Sequence, residues 1–300
     1  MPGWWCWRCW ACCSTAPSNG PNAARCRGAP TCPEAAMTAS HISSSLRALP
    51  RLARAASGIA LVIALLALWE ASARLGWVDS LNWPPFTAVL AALRDGLWSG
   101  ELPALLGNTL GYMLVGYAAG SAAGIALGLL LGLSPLLMRI VSPLVEALRP
   151  IPISAIVPPL ILFLGVGDAL KIFIVAFSSF FPVLINTVAG VRDGSPVLRQ
   201  TARTLRLSRA ATLRKLVLPG ALPAIFAGLR TSLGIALVVA IIAEMVAGAS
   251  GIGYFIVQAQ YAMQPAPMYA AVLCLSLAGY ALNRAILRFE KTALPWHGRA

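Results

Sequence analysis

The sequence predicts an all-α membrane protein that crosses the bilayer about six times. Of its 300 residues, 58% are apolar and only 11% are charged, whereas a soluble domain carries about 25% charged residues. Mean hydropathy is +0.76. The apolar residues form runs close to the roughly 20 residues that a helix needs to span the hydrocarbon core. These features place the chain in the membrane class before any motif is considered.

The net charge of +13 is better explained by membrane orientation than by a nucleic-acid partner. A nucleic-acid-binding protein presents its bases on one face of a soluble domain, but here the bases lie between apolar runs. Membrane lipid is therefore the expected contact of the basic segments, and no nucleic-acid partner is predicted.

The amino-terminal segment differs in composition from the rest of the chain. Six of the seven cysteines precede residue 33, and Cys6, Cys9 and Cys12 form two C-x-x-C spacings of a kind that can bind zinc. The surrounding Trp/Cys tract contains no histidine and no second paired element, and Met37 opens a more ordinary sequence. We expect residues 1–45 to be a disordered tail or an over-extended gene start, and we predict no metal site.

Six apolar segments define a transmembrane domain over residues 46–292. The third segment is short and rich in proline, and a long basic connection over residues 192–223 separates the fourth from the fifth. The predicted spans cover residues about 57–73, 107–133, 151–165, 169–191, 224–246 and 268–287.

The bases follow a regular pattern along these spans. They collect before the first span, in the connection 134–149 (Arg139 and Arg149), in the connection 192–223 and after the sixth span. Connections rich in Lys and Arg stay in the cytoplasm, and an even number of spans places both termini on one side. We therefore predict a multi-pass protein of the bacterial inner membrane with cytoplasmic N and C termini.

The second span carries a glycine every four residues. Such a ladder removes side chains from one strip of a helix, so that a neighbouring backbone can approach closely. Tight packing inside the bundle is the simpler interpretation, and a surface that slides during transport is the alternative. The glycines are Gly116, Gly120, Gly124, Gly128 and Gly132.

The third span begins LRPIPISAIVPPL, with four prolines in ten residues. Each proline removes a backbone donor and strains a helix, and such breaks survive in lipid only where protein or a water-lined cavity satisfies the freed carbonyls. Pro152 and Pro158 are therefore candidates for the translocation path. A kinked structural helix is the alternative.

Glu244 lies near the outer end of the fifth span, just before the sequence GASGIG. An ionisable residue inside a membrane segment is costly and is a functional candidate by default. Glu244 is therefore a candidate for the translocation path or its gate. A structural hydrogen bond to a neighbouring helix end is the alternative, and a carboxylate would repel an anionic solute.

The basic connection 192–223 has short apolar stripes at helical spacing on either side of a break near Arg206–Ser208. This pattern predicts two short amphipathic helices joined by a turn, and Pro219 and Pro223 are expected to end the second. By itself the pattern also fits a basic interfacial helix on anionic lipid.

The same connection resembles the cytoplasmic EAA loop of ABC importer permeases, E-A-A-x3-G-x9-I-x-L-P. Two positions differ, because Gln200 replaces the acid and Arg206 replaces the turn glycine, which a non-glycine residue can imitate only at a cost. The resemblance implies an ATPase-docking loop that contains Gln200, Thr201, Ala202, Leu205, Arg206, Leu216, Leu218 and Pro219.

The resemblance extends over residues 52–287, and the stretches 148–192 and 243–256 are similar to the nitrate/sulfonate/taurine branch of these permeases. It implies the type I ABC importer permease fold, a permease homodimer and two ATPase subunits. It also implies a periplasmic binding protein that delivers a small solute such as nitrate, a sulfonate, taurine or a thiamine-precursor pyrimidine.

The sequence has no G-x-x-x-x-G-K-[ST] phosphate loop and no nucleophile–base constellation, so no catalytic residue, cofactor or metal is predicted and the chain is not expected to be an enzyme by itself. A self-contained secondary transporter or channel is the alternative from another class. That class often shows inverted repeats and paired broken helices, whereas this sequence shows one proline-broken span. An exporter or assembly permease with the same kind of loop is a third alternative.

Overall fold

The computed structural model describes residues 51–77, 82–194, 200, 202 and 204–294, and within them the regular secondary structure is entirely helical. The all-α prediction is thus confirmed. The predicted tail at residues 1–45 and Thr201 of the loop lie outside the described residues. The helices are α1 (Arg51–Arg74), α2 (Phe86–Trp98), α3 (Glu101–Leu133), α4 (Pro135–Leu148), α5 (Ile153–Leu164), α6 (Asp168–Arg192), α7 (Arg209–Thr212), α8 (Leu218–Ala247), α9 (Ile252–Tyr261) and α10 (Pro265–Ala293).

The chain divides into two units, Met1–Leu66 and Ala67–Ala300. Of the first unit, the structure describes the beginning of α1, a 24-residue helix that contains the predicted first span. The second unit contains the remaining helices.

Among the residues that the structure describes, four helical segments are long and apolar enough to cross a membrane: Glu101–Leu133, Asp168–Arg192, Leu213–Ala247 and Pro265–Ala293. They correspond to the predicted second, fourth, fifth and sixth spans. The second begins six residues earlier than predicted, because α3 starts at Glu101 and continues through the apolar residues that follow it.

The fifth helix also begins earlier than predicted, because Pro219 and Pro223 do not end the preceding helix. Pro219 lies in the first turn of α8, where the N–H that proline lacks has no intrahelical partner to lose. The π-helical turn Leu213–Val217 joins α7 to α8. The second part of the loop is therefore continuous with the fifth span.

Residue pairing gives the directions of the core helices. On α3 and α6, Gly116 faces Ile172 and Gly124 faces Phe180, so these two helices run parallel. The opposite order holds between α6 and α8, where Gly190 faces Ala224.

Helices α8 and α10 are antiparallel as well. Arg230 near the start of α8 forms an ion pair with Glu290 near the end of α10, and Gly279 faces Leu237. The carboxyl ends of α3, α6 and α10 and the amino end of α8 therefore lie at one end of the bundle, which we call the loop end.

Because α3 and α6 run parallel, the chain must return across the bundle between them. Helix α4 packs in a cluster with Leu184 and Val188, close to the loop end. Helix α5 packs through Val157 in a cluster with Leu170 and Ile174, toward the opposite end.

The return is therefore one crossing, α4 followed by α5, interrupted at residues 149–152. On this topology the third crossing is longer than the predicted span 151–165 and includes residues of the predicted connection 134–149. Helix α4 contains Arg139 and an internal Pro143, so it lacks the long apolar run by which hydropathy identifies a span. Helix α5 has 12 residues, a length of roughly 18 Å, which is too short to cross alone.

Candidate functional site

The predicted turn in the basic loop is present and has a defined geometry. Gln200, Ala202 and Thr204 are helical, and the Leu207 N–H donates to the Ala202 carbonyl at 3.0 Å. Arg206 has φ of 50°. A left-handed residue followed by this 6→1 hydrogen bond is the Schellman arrangement, in which glycine is usual. Arg206 thus adopts the glycine conformation despite its Cβ.

Ser208 begins the second helix immediately after the turn. Its Oγ accepts a hydrogen bond from the Ala211 N–H at 3.2 Å, and its carbonyl accepts from the Thr212 N–H at 2.9 Å. A serine in this position satisfies a donor that the first helical turn leaves free. The predicted turn between two helical pieces is therefore present, and the second piece continues through the π-helical turn into α8.

The loop presents one large apolar side chain at its tip. Leu205 is 66% exposed, whereas Ala202, one turn earlier, is 3% exposed. Gln200 and Arg206 are also exposed, while Leu216, Leu218 and Pro219 are half-buried. The exposed members of the predicted docking set therefore lie around the turn.

The half-buried members connect the loop to the bundle. Leu218 packs against a cluster that contains Val191 at the end of α6 and Ala221 and Ile225 on α8. Movement of the turn would therefore be transmitted to the base of α6 and along α8.

The glycine ladder lies directly against α6. A Cβ atom would lie 2.6 Å from the Ile172 carbonyl oxygen if placed on Gly116, and 2.8 Å from the Phe180 carbonyl oxygen if placed on Gly124. On Gly128 it would lie 2.6 Å from the Thr187 Cβ. These distances agree with the packing interpretation, because no side chain larger than hydrogen fits without moving α6.

Glu244 is fully buried, and both of its carboxylate oxygens accept hydrogen bonds. The Thr109 hydroxyl of α3 donates to Oε1 at 2.7 Å, and the Gly253 N–H donates to Oε2 at 2.7 Å. The Thr109 oxygen in turn accepts from the Ile252 N–H at 3.0 Å. The carboxylate thus caps the amino end of α9, where the helix dipole favours a negative charge, and it joins α3, α8 and α9.

Glycine at position 251 makes room for this carboxylate. Gly251 has φ of +106°, and a Cβ atom there would overlap the Glu244 carboxylate. The sequence indicated Glu244 but missed Thr109 and the role of the glycines. The repeated glycines of GASGIG after an intramembrane acid were the available signal.

With an exposure of 0%, Glu244 does not line an open path in this structure. Its geometry favours the alternative that the sequence left open, a structural hydrogen bond to a neighbouring helix end.

The two prolines singled out in the third span have different positions. Pro152 precedes α5 as its N-cap residue, and Pro158 lies inside α5. Both are exposed on the isolated chain. Pro152 belongs to the break in the return crossing. Pro158 lies on the exposed side of α5, whereas the adjacent Val157 is buried in the core.

A cavity of about 360 Å³ opens beside this break. It is bounded by Arg149 and Ile153, by Phe177 and Asn186 of α6, and by Thr231 of α8. Over the described ranges of the chain, no three His, Cys, Asp or Glu side chains are grouped to hold a metal ion.

Comparison with known proteins gives the family. A family model described as the binding-protein-dependent transport system inner membrane component matches residues 120–293, more than half of the chain. The chain is 34% identical over 237 residues to the aliphatic sulfonates transport permease protein SsuC of Escherichia coli K12, across 79% of this chain and 90% of that protein.

Two further comparisons agree with this result. The chain is 29% identical over 239 residues to the taurine transport system permease protein TauC of Escherichia coli K12, across 78% of this chain and 87% of that protein. The MetNI methionine ABC transporter in an inward-facing conformation has a similar fold, with a TM-score of 0.58 and 20% identity over 66% of this chain and 97% of that chain.

These matches confirm the resemblance inferred from the loop and favour a transporter over an enzyme or a self-contained channel. The chain belongs to the binding-protein-dependent transport system inner membrane component family, and it is the membrane-spanning permease subunit of an ABC importer.

Proposed function

We propose that this permease works as a homodimer with two ATPase subunits and imports a small solute such as a sulfonate, taurine or nitrate from a periplasmic binding protein. The family implies an ATPase and a binding protein as partners, and the names of the relatives support the solute class. The chain has no phosphate loop of its own, so ATP is hydrolysed by the partner.

The distribution of bases supports a cytoplasmic location for the loop and both termini. Arg192 ends α6, Arg214 and Lys215 precede α8, and Lys291 lies in the last turn of α10. All of these positions are at the loop end, and Lys- and Arg-rich segments near membrane helices are retained in the cytoplasm.

The observation that carries the proposal is the exposed turn at residues 205–206 and its continuous connection to the bundle. Leu205 offers an apolar contact to a partner, since a side chain 66% exposed gains free energy when a second surface covers it. Closure of the ATPase dimer would move this turn, and the helical segment Leu213–Ala247 would carry the movement to the far end of the bundle.

The test is to replace Leu205 by Lys and measure ATP-driven uptake in proteoliposomes that contain the complete transporter. We expect uptake to fall at least about tenfold, because a buried unpaired ammonium costs more than the roughly 1.4 kcal/mol that corresponds to a factor of ten. Membrane insertion and the thermal midpoint of the permease should be unchanged. Gln200→Lys should act in the same direction.

Thr292→Lys is the matched control, because Thr292 is exposed at the loop end of α10 and gains the same charge away from the turn. Its uptake should stay within about twofold of the wild type. Normal uptake by the Leu205→Lys variant would refute the docking role. Labelling of a cysteine at position 205 by an impermeant reagent from outside the cell would refute the proposed orientation.

A further inference from the structure

The break in the return crossing places Arg149 at mid-depth along the bundle, where its side chain is exposed on the isolated chain. Helix α4 starts at the loop end and α5 occupies the opposite half, so the segment between them lies at mid-depth. The cavity also indicates a mid-depth position, since Arg149 borders it together with Phe177 of α6 and Ile235 of α8. Phe177 and Ile235 both lie in the central turns of their helices.

An arginine at this depth is costly unless a partner or water compensates its charge. Among the residues that the structure describes, Arg149 forms no ion pair. Glu146, one turn earlier, borders a neighbouring cavity with Arg149; one of its carboxylate oxygens accepts a hydrogen bond from the Ser142 hydroxyl at 3.5 Å, and it forms no ion pair with Arg149. The guanidinium donors thus remain available to a group that enters the cavity.

The rest of the cavity wall is mostly apolar and otherwise uncharged. Its aromatic and aliphatic side chains include Phe177, Phe181 and Ile235, and its polar side chains include Asn186 and Thr231. Asn186 uses its amide N–H2 group on the Pro182 carbonyl at 2.8 Å, and the Thr231 hydroxyl donates to the Ala227 carbonyl at 3.0 Å. Arg149 is therefore the main source of free donors, and it supplies the only formal charge among the described residues that line the cavity.

We infer that Arg149 is the anion-recognition residue of the translocation path. The cavity takes a small organic anion whose sulfonate or carboxylate contacts the guanidinium and whose apolar part lies against Phe177, Phe181 and Ile235. The volume of about 360 Å³ falls in the lower part of the range of small-molecule pockets, roughly 300–1,000 Å³. The amino end of α5 at Ile153 faces the same cavity and adds a favourable dipole.

This inference rests on the proposed import function and narrows its solute class. A zwitterion would bring an ammonium group to a wall that has no acidic residue, and an inorganic anion would leave the apolar wall without a partner. An aliphatic anion satisfies both parts of the site.

The test uses cysteine labelling, which requires no knowledge of the natural solute. In a variant with the seven native cysteines replaced by serine, Thr231→Cys places a thiol on the cavity wall. The rates of modification by anionic 2-sulfonatoethyl and cationic 2-trimethylammonioethyl methanethiosulfonate are measured in membrane vesicles that contain the assembled transporter. The anionic reagent is itself a small alkyl sulfonate.

We expect Arg149→Gln to lower the ratio of the anionic to the cationic rate roughly tenfold, as loss of a nearby unit charge in a partly hydrated site would do. Arg149→Lys should preserve the ratio. Arg139→Gln is the matched control, because Arg139 lies on α4 near the loop end and does not border the cavity.

An unchanged ratio in the Arg149→Gln variant would overturn the inference, and so would a position 231 that neither reagent reaches. If the Arg139→Gln variant lowered the labelling ratio equally, the effect would come from the general surface potential, and the inference would also be overturned. The labelling ratio is independent of ATP and of transport, so such a result would leave the docking role of Leu205 standing. Conversely, if the Leu205→Lys variant showed normal uptake, the labelling ratio could still be interpreted.

Discussion

Gly120 of α3 and Ala176 of α6 bring their helices into backbone contact. A Cβ atom on Gly120 would lie 2.8 Å from the carbonyl carbon of Ala176 and closer still to its oxygen. Because the two helices run parallel, Gly116 and Gly124 meet backbone carbonyl oxygens of α6 in the same way, whereas Gly132 meets the side chain of Val191. The absence of side chains along this strip lets two long apolar helices pack in lipid, where no hydrophobic effect drives them together.

Replacing Gly120 by Ala should destabilise the permease. Overpacking of a close contact typically costs about 1–3 kcal/mol, and here the obstructing atoms belong to the α6 backbone, which cannot rotate away. Thermal unfolding of the detergent-solubilised protein, followed by tryptophan fluorescence, gives the measurement. Gly111→Ala is the control, since nothing lies within 4 Å of a Cβ at that position of α3. Equal midpoints for the two variants would argue against the packing role.

We expect substitutions of Glu244 to lower the stability of the folded permease and not to act on transport directly. Glu244→Ala leaves the Gly253 N–H without its acceptor in the core, at a cost of about 3 kcal/mol. Glu244→Gln should cost less, about 1 kcal/mol, since the amide oxygen can still accept from Gly253 and the Thr109 hydroxyl can turn to its second acceptor, the Leu105 carbonyl.

The two Glu244 variants are measured by the same unfolding assay, with exposed Glu146→Gln as the control. A gate function would give a different result. In that case Glu244→Gln would change the uptake rate while the thermal midpoint stayed at the wild-type value.

Alanine substitutions at Gly251 and Gly165 distinguish the cost of backbone strain from the cost of steric overlap. Both have positive φ, but a Cβ at Gly165 meets nothing within 4 Å, whereas at Gly251 it overlaps the Glu244 carboxylate. Gly165→Ala should therefore lose only the roughly 1–3 kcal/mol of a backbone conformation that favours glycine, and Gly251→Ala should lose clearly more. The ranking of their unfolding midpoints tests this, and the reverse order would show that the Glu244 cap is not tight.

Arg206 holds the loop turn at a conformational cost that glycine would remove. Arg206→Gly should stabilise the turn by about 1 kcal/mol, and Arg206→Val should destabilise it because a β-branched residue is disfavoured at positive φ. Hydrogen exchange of the Leu207 amide, which donates to Ala202, reports the change. Exchange should be about fivefold slower in the glycine variant and faster in the valine variant. Identical exchange in both would mean that the turn does not depend on φ at position 206.

The long apolar helices could be predicted from the sequence because hydropathy is a local property. The spans that became α3, α6, α8 and α10 each contain an apolar run that needs no knowledge of the neighbours. The turn near Arg206–Ser208 was also predictable, since the helical stripes on either side of it are interrupted there. The four-residue spacing indicated close packing at Gly120 as the simpler interpretation, and the distances to α6 agree with it.

Other features depend on atoms that are distant in the sequence. Glu244 was ambiguous because its partners, Thr109 and Gly253, come from α3 and from the start of α9. Pro219 was misjudged because proline ends a helix in its interior but is tolerated in the first turn, and only the structure shows in which of the two it lies.

By itself, the sequence determined that this protein is a helical membrane permease and where most of its spans lie, since both follow from apolar runs and a loop motif read along the chain. The tertiary structure decided which residues meet. Because α3 and α6 are parallel, α4 and α5 must together cross the bundle, and this topology moves Arg149 from an apparent loop to the wall of a cavity at mid-depth. The depth of a charged residue in the membrane cannot be read from its neighbours in the sequence when the membrane-crossing helix is interrupted beside it.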